Sequence, residues 1–232
     1  MHRRLLQLLR DNATKGGIEL KVENAADSST IYLYDVIDSY FGIGAESFNK
    51  ELSAMKGKPV NLRINSPGGD VFDARAMATA IAQHGNVTAH IDGLAASAAT
   101  YVALAANSVH MSDGSFFMIH NAWTMGIGGK SDFLELAALL DKMDGTIMND
   151  YVKKTGKTVD EITSWMNAET WFTAQEAMDN GFIDSITDGN KVENKWNLSA
   201  YANAPKEEEK TDDELWISHR DKASSRLRLL TI

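Results

Sequence analysis

Three short stretches carry side chains that could do covalent chemistry together. "GLAASAAT" (93–100) sets one hydroxyl, Ser97, in a run of small and apolar residues. "SFFMIHNAW" (115–123) brings an apolar strand pattern to His120. "NAETWFTAQEA" (167–177) places Glu169 just ahead of an aromatic pair. A hydroxyl nucleophile, an imidazole base and a carboxylate that orients the base are the three parts of nucleophilic acyl transfer. A serine that opens a helix also sits among amides with no intrahelical acceptor, where a developing oxyanion is stabilised. Each residue alone has a plainer reading. Ser97 fits a small buried helix position, His120 a satisfied core or surface histidine, and Glu169 a surface carboxylate or turn cap. The serine is not in a G-x-S-x-G elbow, because Ala95 and Ala99 stand where that motif needs glycine.

A fourth stretch, "INSPGGDV" (64–71), puts two adjacent glycines after a strand pattern. Paired glycines let a backbone come close to a ligand with its amides facing outward. A tight turn is the plainer reading. No G-x-x-x-x-G-K-[ST] and no G-x-G-x-x-G occurs, which argues against a phosphate loop. Of the other histidines, His2 and His219 lie in extensions, His84 ends a helix pattern, and His90 and His110 sit within strands as structural residues. There is no cysteine and no H-E-x-x-H or comparable spacing, so no metal and no cofactor is expected.

The elements that must hold these residues alternate along the chain. Strands are expected at "TIYLYDVI" (30–37), "PVNLRIN" (59–65), "NVTAHID" (86–92), "SVHMSDG" (108–114), "SFFMIHNAW" and "FIDSI" (182–186). Helices are expected at 44–55 with Ser47 as a cap, at 70–85 ending on Gly85, and from Ser97 to Ala106. A long helix follows at 131–157, opened by Ser131 and closed by Gly156, then short capped helices at 158–166 and 173–181. The alternation predicts an α/β domain built from right-handed crossovers.

Residues 1–28 read as an N-terminal extension, with "MHRRLLQLLRDN" as an amphipathic first helix and "IELKVEN" (18–24) as an edge strand. Its apolar run, "LLQLL", is too short for a signal-peptide core. Residues 29–188 form the domain, and 189–232 read as a polar, flexible tail with the acidic run "KEEEKTDDE". The net charge of -9 argues against a protein that neutralises nucleic-acid phosphates. No apolar stretch has the length of a membrane span, and a cytoplasmic location is expected.

Taken together and in order, these motifs resemble the Clp-type serine peptidases over roughly residues 29 to 188. "NSPGG" stands as Asn65–Gly69, "G-x-A-A-S" as Gly93–Ser97 and "MIH" as Met118–His120. The later "TG-x-(S/T)-x-(D/E)-x-I" and "(F)-(S/T)-A-x-E-A-x-x-x-G-(L/F)-(I/V)-D" patterns stand as Thr155–Ile162 and Phe172–Asp184. The resemblance implies a crotonase-like spiral of ββα units with a handle segment, Thr124 to Lys153. It implies Ser97 as nucleophile, His120 as general base, and the backbone amides of Gly69 and Ala98 as the oxyanion hole. Substrate would lie along Gly68, Gly69, Val71 and Asn121. Glu169 stands where the family usually has Asp, one methylene shorter. Ala98 stands where housekeeping members commonly have methionine, a change of no consequence if only its amide is used.

The resemblance further implies a homo-oligomeric ring, as a heptamer or a stacked tetradecamer. "DGLAASAAT", "HNAWTMGIGG", "NAETWFTAQEA" and "NLSAYANAP" look most like the phage and prophage branch, the head maturation proteases that process scaffold and capsid proteins. The divergent N-terminal region argues against an unfoldase ATPase partner. Three alternatives stand beside this reading: a general ATPase-dependent Clp proteolytic subunit, an acyl-CoA enzyme on the same fold, and a non-catalytic ring. CoA binding would mark the second.

Overall fold

The computed structural model describes residues 20–188 and 196–205. The expected N-terminal amphipathic helix and the acidic run of the tail lie outside the described residues. Among those described are eight strands: β1 (Lys21–Asn24), β2 (Ser29–Leu33), β3 (Val60–Ser66), β4 (Val87–Ala96), β5 (Ser108–Ser112), β6 (Phe116–Ile119), β7 (Thr170–Thr173) and β8 (Ser185–Thr187). The helices are α1 (Ala45–Ala54), α2 (Val71–His84), α3 (Ala98–Leu104), α4 (Lys130–Thr155), α5 (Val159–Asn167) and α6 (Ala174–Asp179).

Strands β2, β3, β4, β5 and β8 run parallel in that order, and β1 adds an antiparallel edge. Parallel neighbours require crossovers, which α1, α2 and α3 supply. The buried positions of α2 are Ala74, Met77, Ala78 and Ile81, one stripe at helical spacing. Asp70 caps its start by accepting from Asp73 N at 2.8 Å, and Gly85 ends it in the left-handed conformation, φ 73°.

Strand β4 makes the site possible. Its first half lies between β3 and β5. Its pairing with β3 slips between Ile64 and Ser66, where Ala95 still faces Ser66, and on its other edge its last residues, Leu94–Ala96, pair with β6 in place of β5. β6 in turn pairs antiparallel with β7. One strand thus turns out of the main sheet and ends directly against Ser97. The strand expected from the sequence ends at Asp92, short of "GLAA", because glycine and alanine carry little strand signal.

Other differences have local causes. Ser47 does not cap α1; Gly44 holds that position, and Ser47 Oγ donates back to Gly44 O at 3.0 Å. Ser131 does not open α4; Gly129 does, with its amide donating to the Asp132 carboxylate at 2.6 Å. β7 falls in a segment that reads as the loop between two capped helices. Those two helices are capped as their sequences predict, by Thr158 with Glu161 and by Thr173 with Glu176. Of the 26 residues of α4, only Ile147 and Tyr151 are buried. Its N-terminal half stands out from the domain with Phe133, Leu134 and Leu139 exposed.

Candidate active site

Ser97 and His120 lie 23 residues apart and meet at the ends of two paired strands, β4 and β6. Ser97 Oγ and His120 Nε2 are 2.7 Å apart. With the imidazole neutral and its proton on Nδ1, Ser97 O–H donates to Nε2, the arrangement in which a base can take that proton. Burial pushes the His120 pKa down to about 4, and the Glu169 charge opposes that shift. The ring is therefore neutral at pH 7 and free to act as a base.

Backbone strain marks the same place. Among the described residues, Ser97 (φ 53°) and Glu169 (φ 50°) are the two non-glycine residues with positive φ. Each such conformation costs roughly 1–2 kcal/mol for an L residue and persists only where its surroundings enforce it. Ser97 is enforced from both sides. Its N–H donates to Met118 O at 2.8 Å. Its C=O accepts from Thr100 Oγ1 at 2.6 Å, and Thr100 Oγ1 also lies 2.5 Å from the buried Tyr151 hydroxyl of α4.

The glycine pair of "NSPGG" packs against this turn. A Cβ on Gly68 would fall 2.5 Å from Ala96 O, 2.8 Å from Ser97 Cβ and 3.0 Å from Ala98 N. A Cβ on Gly69 would fall 2.1 Å from Ile37 O. Both have positive φ, 90° and 149°. Only glycine satisfies the conformation and the contact at once. Ala98 opens α3, where its amide has no intrahelical acceptor.

A cavity of about 310 Å³ opens beside Ser97. Gly69 and Val71 line it, and Ala122, Met125, Leu140 and Met143 give it an apolar side. Asp144 holds that side in place by accepting from Ala122 N at 2.6 Å. The Asn121 side chain donates through Nδ2 to Asn167 Oδ1 at 2.7 Å.

Glu169 is close enough to bias His120 electrostatically, yet its hydrogen bonds go elsewhere. Its carboxylate accepts from Asn203 N at 2.7 Å, Ala202 N at 3.0 Å and Trp171 Nε1 at 3.3 Å. Among the described residues none of its bonds goes to His120. Motif reading alone misses these partners. A signal for them exists: Trp196, Leu198 and Tyr201 are large apolar side chains in a tail otherwise rich in charge. Among the described residues no group of three His, Asp or Glu could hold a metal ion.

Comparison with known proteins places the chain in a family. Residues 22–190 match the family described as Clp protease. The chain belongs to the Clp protease family. It is 35% identical over 177 residues, 72% of its length, to the ATP-dependent Clp protease proteolytic subunit 1 of Protochlamydia amoebophila, 84% of which is covered. It is 30% identical over 189 residues, 78% of its length, to the subunit of the same name from Leifsonia xyli, 85% of which is covered. A solved structure of a ClpP1 point mutant from Listeria monocytogenes shares the fold, with a TM-score of 0.60 at 23% identity over 69% of this chain and 91% of that one. The chain is thus a serine-type peptidase of the Clp kind with the α/β fold that its motifs predict. The relatives' names point to a Clp proteolytic subunit and lend no support to the head-maturation assignment. Among the described residues no helix is long and apolar enough to cross a membrane.

Proposed function

We propose that this chain is the proteolytic subunit of a Clp-type serine endopeptidase, with Ser97 as nucleophile and His120 as general base. The 2.7 Å contact between Ser97 Oγ and His120 Nε2 carries the reading. Ser97 attacks the scissile carbonyl as His120 takes its proton. The amides of Gly69 and Ala98 hold the oxyanion. His120 then gives the proton to the leaving amine, and water releases the acyl group by the same steps. Glu169 stabilises the imidazolium formed on the way through its charge.

The apolar cavity beside Ser97 fits a large apolar side chain of the substrate next to the cleaved bond. The exposed Ile127, Phe133 and Leu134 of the handle fit a ring in which copies of this chain bury them. The relatives are named ATP-dependent, which favours a partner ATPase that delivers unfolded chains, against the doubt raised by the divergent N-terminal region. Processing of scaffold or capsid proteins drops behind this general role. An acyl-CoA enzyme would need the paired amides but not a serine bonded to a histidine, so the Ser97–His120 contact also separates those two readings.

The test is labelling of the purified protein with a fluorophosphonate, followed by peptide mapping. An adduct on Ser97 that is lost in His120→Ala supports the assignment. A folded, assembled sample that neither labels nor cleaves apolar peptides refutes it.

A further inference from the structure

The segment Trp196–Pro205 follows the last strand of the domain and packs back onto it. Trp196, Leu198, Ala200, Tyr201 and Ala204 cover Leu94, Ala96, Phe116, Met118 and Trp171. Leu94 and Ala96 of β4, Phe116 and Met118 of β6 and Trp171 of β7 face away from the main core, since their neighbours Ala95, Phe117, Ile119 and Phe172 point into it. Without the strap, the outer face of the two strands that end at Ser97 and His120 would stand open to water.

The polar groups of the strap converge on the site. Trp196 Nε1 donates to Asn65 Oδ1 at 3.1 Å, and Tyr201 O–H donates to Pro67 O at 2.6 Å. Both acceptors belong to "NSPGG". Ala202 N and Asn203 N hold the two oxygens of Glu169, and Asn203 Nδ2 donates to Ala168 O at 2.7 Å. The Tyr201 ring is 6% exposed and meets the His120 ring edge to face, centroids 5.5 Å apart. A strap that served packing alone would have no reason to place its donors on the oxyanion turn and on the residue with the second strained φ.

We infer that residues 196–205 are a working part of the peptidase site, in which Tyr201 is a positioning residue for His120 and for the oxyanion turn, and the Ala202 and Asn203 amides position Glu169. This rests on Ser97 and His120 acting as nucleophile and base. Tyr201 reaches each part by a separate route: the base through its ring, the turn through its hydroxyl, and the acid through the two amides that follow it. Glu169 is the charged group that acts on the imidazole among the described residues, and from the strap the Tyr201 phenol faces it. Burial and the Glu169 charge raise the phenol's pKa, so it stays protonated and adds no charge of its own. Removal of the ring lets water reach His120, which weakens the desolvation that holds its pKa down.

The experiment uses the full chain with Tyr201→Phe and Tyr201→Leu. The rate of fluorophosphonate attachment to Ser97 and kcat/KM on a fluorogenic peptide are followed from about pH 4 to about pH 9. Tyr201→Leu is expected to move the acid limb of both profiles upward by about one pH unit or more, toward ordinary histidine. Tyr201→Phe keeps the ring and is expected to keep the wild-type limb while losing roughly three- to tenfold in rate with its bond to Pro67. Wild-type limbs and rates in both variants overturn the proposal while leaving Ser97 as nucleophile. Should Tyr201→Leu fail to fold, an unchanged rate in Tyr201→Phe overturns it alone. A wild-type protein that does not label removes the peptidase reading, and the strap's role with it.

Discussion

Gly68→Ala tests whether the glycine turn sets the geometry of the nucleophile or is merely a turn. The new methyl group would lie 2.5 Å from Ala96 O and 2.8 Å from Ser97 Cβ. Ordinary contact needs about 1 Å more than the first of these distances, and the facing atoms are backbone or a Cβ fixed to it, which cannot rotate away. The φ of 90° adds strain of roughly 1–2 kcal/mol for an L residue. A total destabilisation of about 2–4 kcal/mol follows. Relief of the clash pushes the "NSPGG" turn and the Ser97 turn apart by a distance that, in a catalytic site, costs about a hundredfold in rate. Gly57→Ala and Gly85→Ala are the controls. Their φ values are 85° and 73°, and a Cβ at either meets nothing within 4 Å. Each should cost about 1 kcal/mol and leave activity intact. Thermal unfolding and kcat/KM on an apolar fluorogenic peptide separate the three variants. A folded Gly68→Ala protein with kcat/KM within about twofold of wild type would refute the reasoning, because a misplacement of that size cannot be silent. Equal losses in all three would trace the effect to φ strain instead of the contact with Ser97.

Ser97→Ala and His120→Ala should each abolish peptide cleavage while leaving the elution volume of the assembled protein unchanged; near-wild-type turnover in Ser97→Ala would end the scheme. Glu169→Gln removes the charge that favours the imidazolium and should cost less than loss of Ser97, read as kcat at saturating peptide. The acid limb of kcat/KM should fall well below the ordinary histidine value, toward pH 4, because the active form is the neutral ring whose pKa burial depresses. The same shift sets a stability window. The native ring binds its proton less readily than the unfolded one, so the contribution present above pH 6.5 is lost as pH falls through about 4, at most about 3 kcal/mol by calorimetric or denaturant titration. Arg63→Met should lower stability by about 2 kcal/mol with no effect on turnover, since it leaves the Asp92 carboxylate, whose side chain is 1% exposed, with Tyr34 but without its guanidinium.

How much of this is legible in the sequence depends on how local each cause is. The strands β2, β3, β5 and β6 and the helices α2, α4, α5 and α6 follow from apolar spacing and caps, and they stand close to where the residues place them. Gly85 and Gly156 end their helices in the left-handed conformation that their positions imply. Ser97 and His120 are legible for a different reason. His120 sits where an apolar strand pattern stops and Ser97 where a helix pattern opens, and the ends of buried elements are where a polar side chain can face a cleft. β7 is hidden because its four residues owe their strand conformation to β6, a partner more than fifty positions earlier in the chain. The last four residues of β4 are hidden for the same reason: their exchange of β5 for β6 is a matter of tertiary pairing.

Glu169 is the instructive case, because the motif picks out the residue and not its partners. An orienting carboxylate is defined by what it bonds, and Glu169 bonds to amides 33 and 34 residues away in a segment whose composition reads as tail. Charge density along 189–232 predicts solvation, but that prediction averages over a window. Inside the window, two large aromatic side chains are enough to reverse it locally: Trp196 and Tyr201 pack against the outer face of β4 and β6, where Leu94, Ala96 and Met118 offer an apolar surface. The same strand alternation that sends Ala95 and Phe117 into the main core leaves those residues on the other side. A domain whose strands are apolar on both faces needs a cover for the second face. The strap follows from the strands it covers, and it reaches Ser97 and His120 because those two strands are the ones that end there.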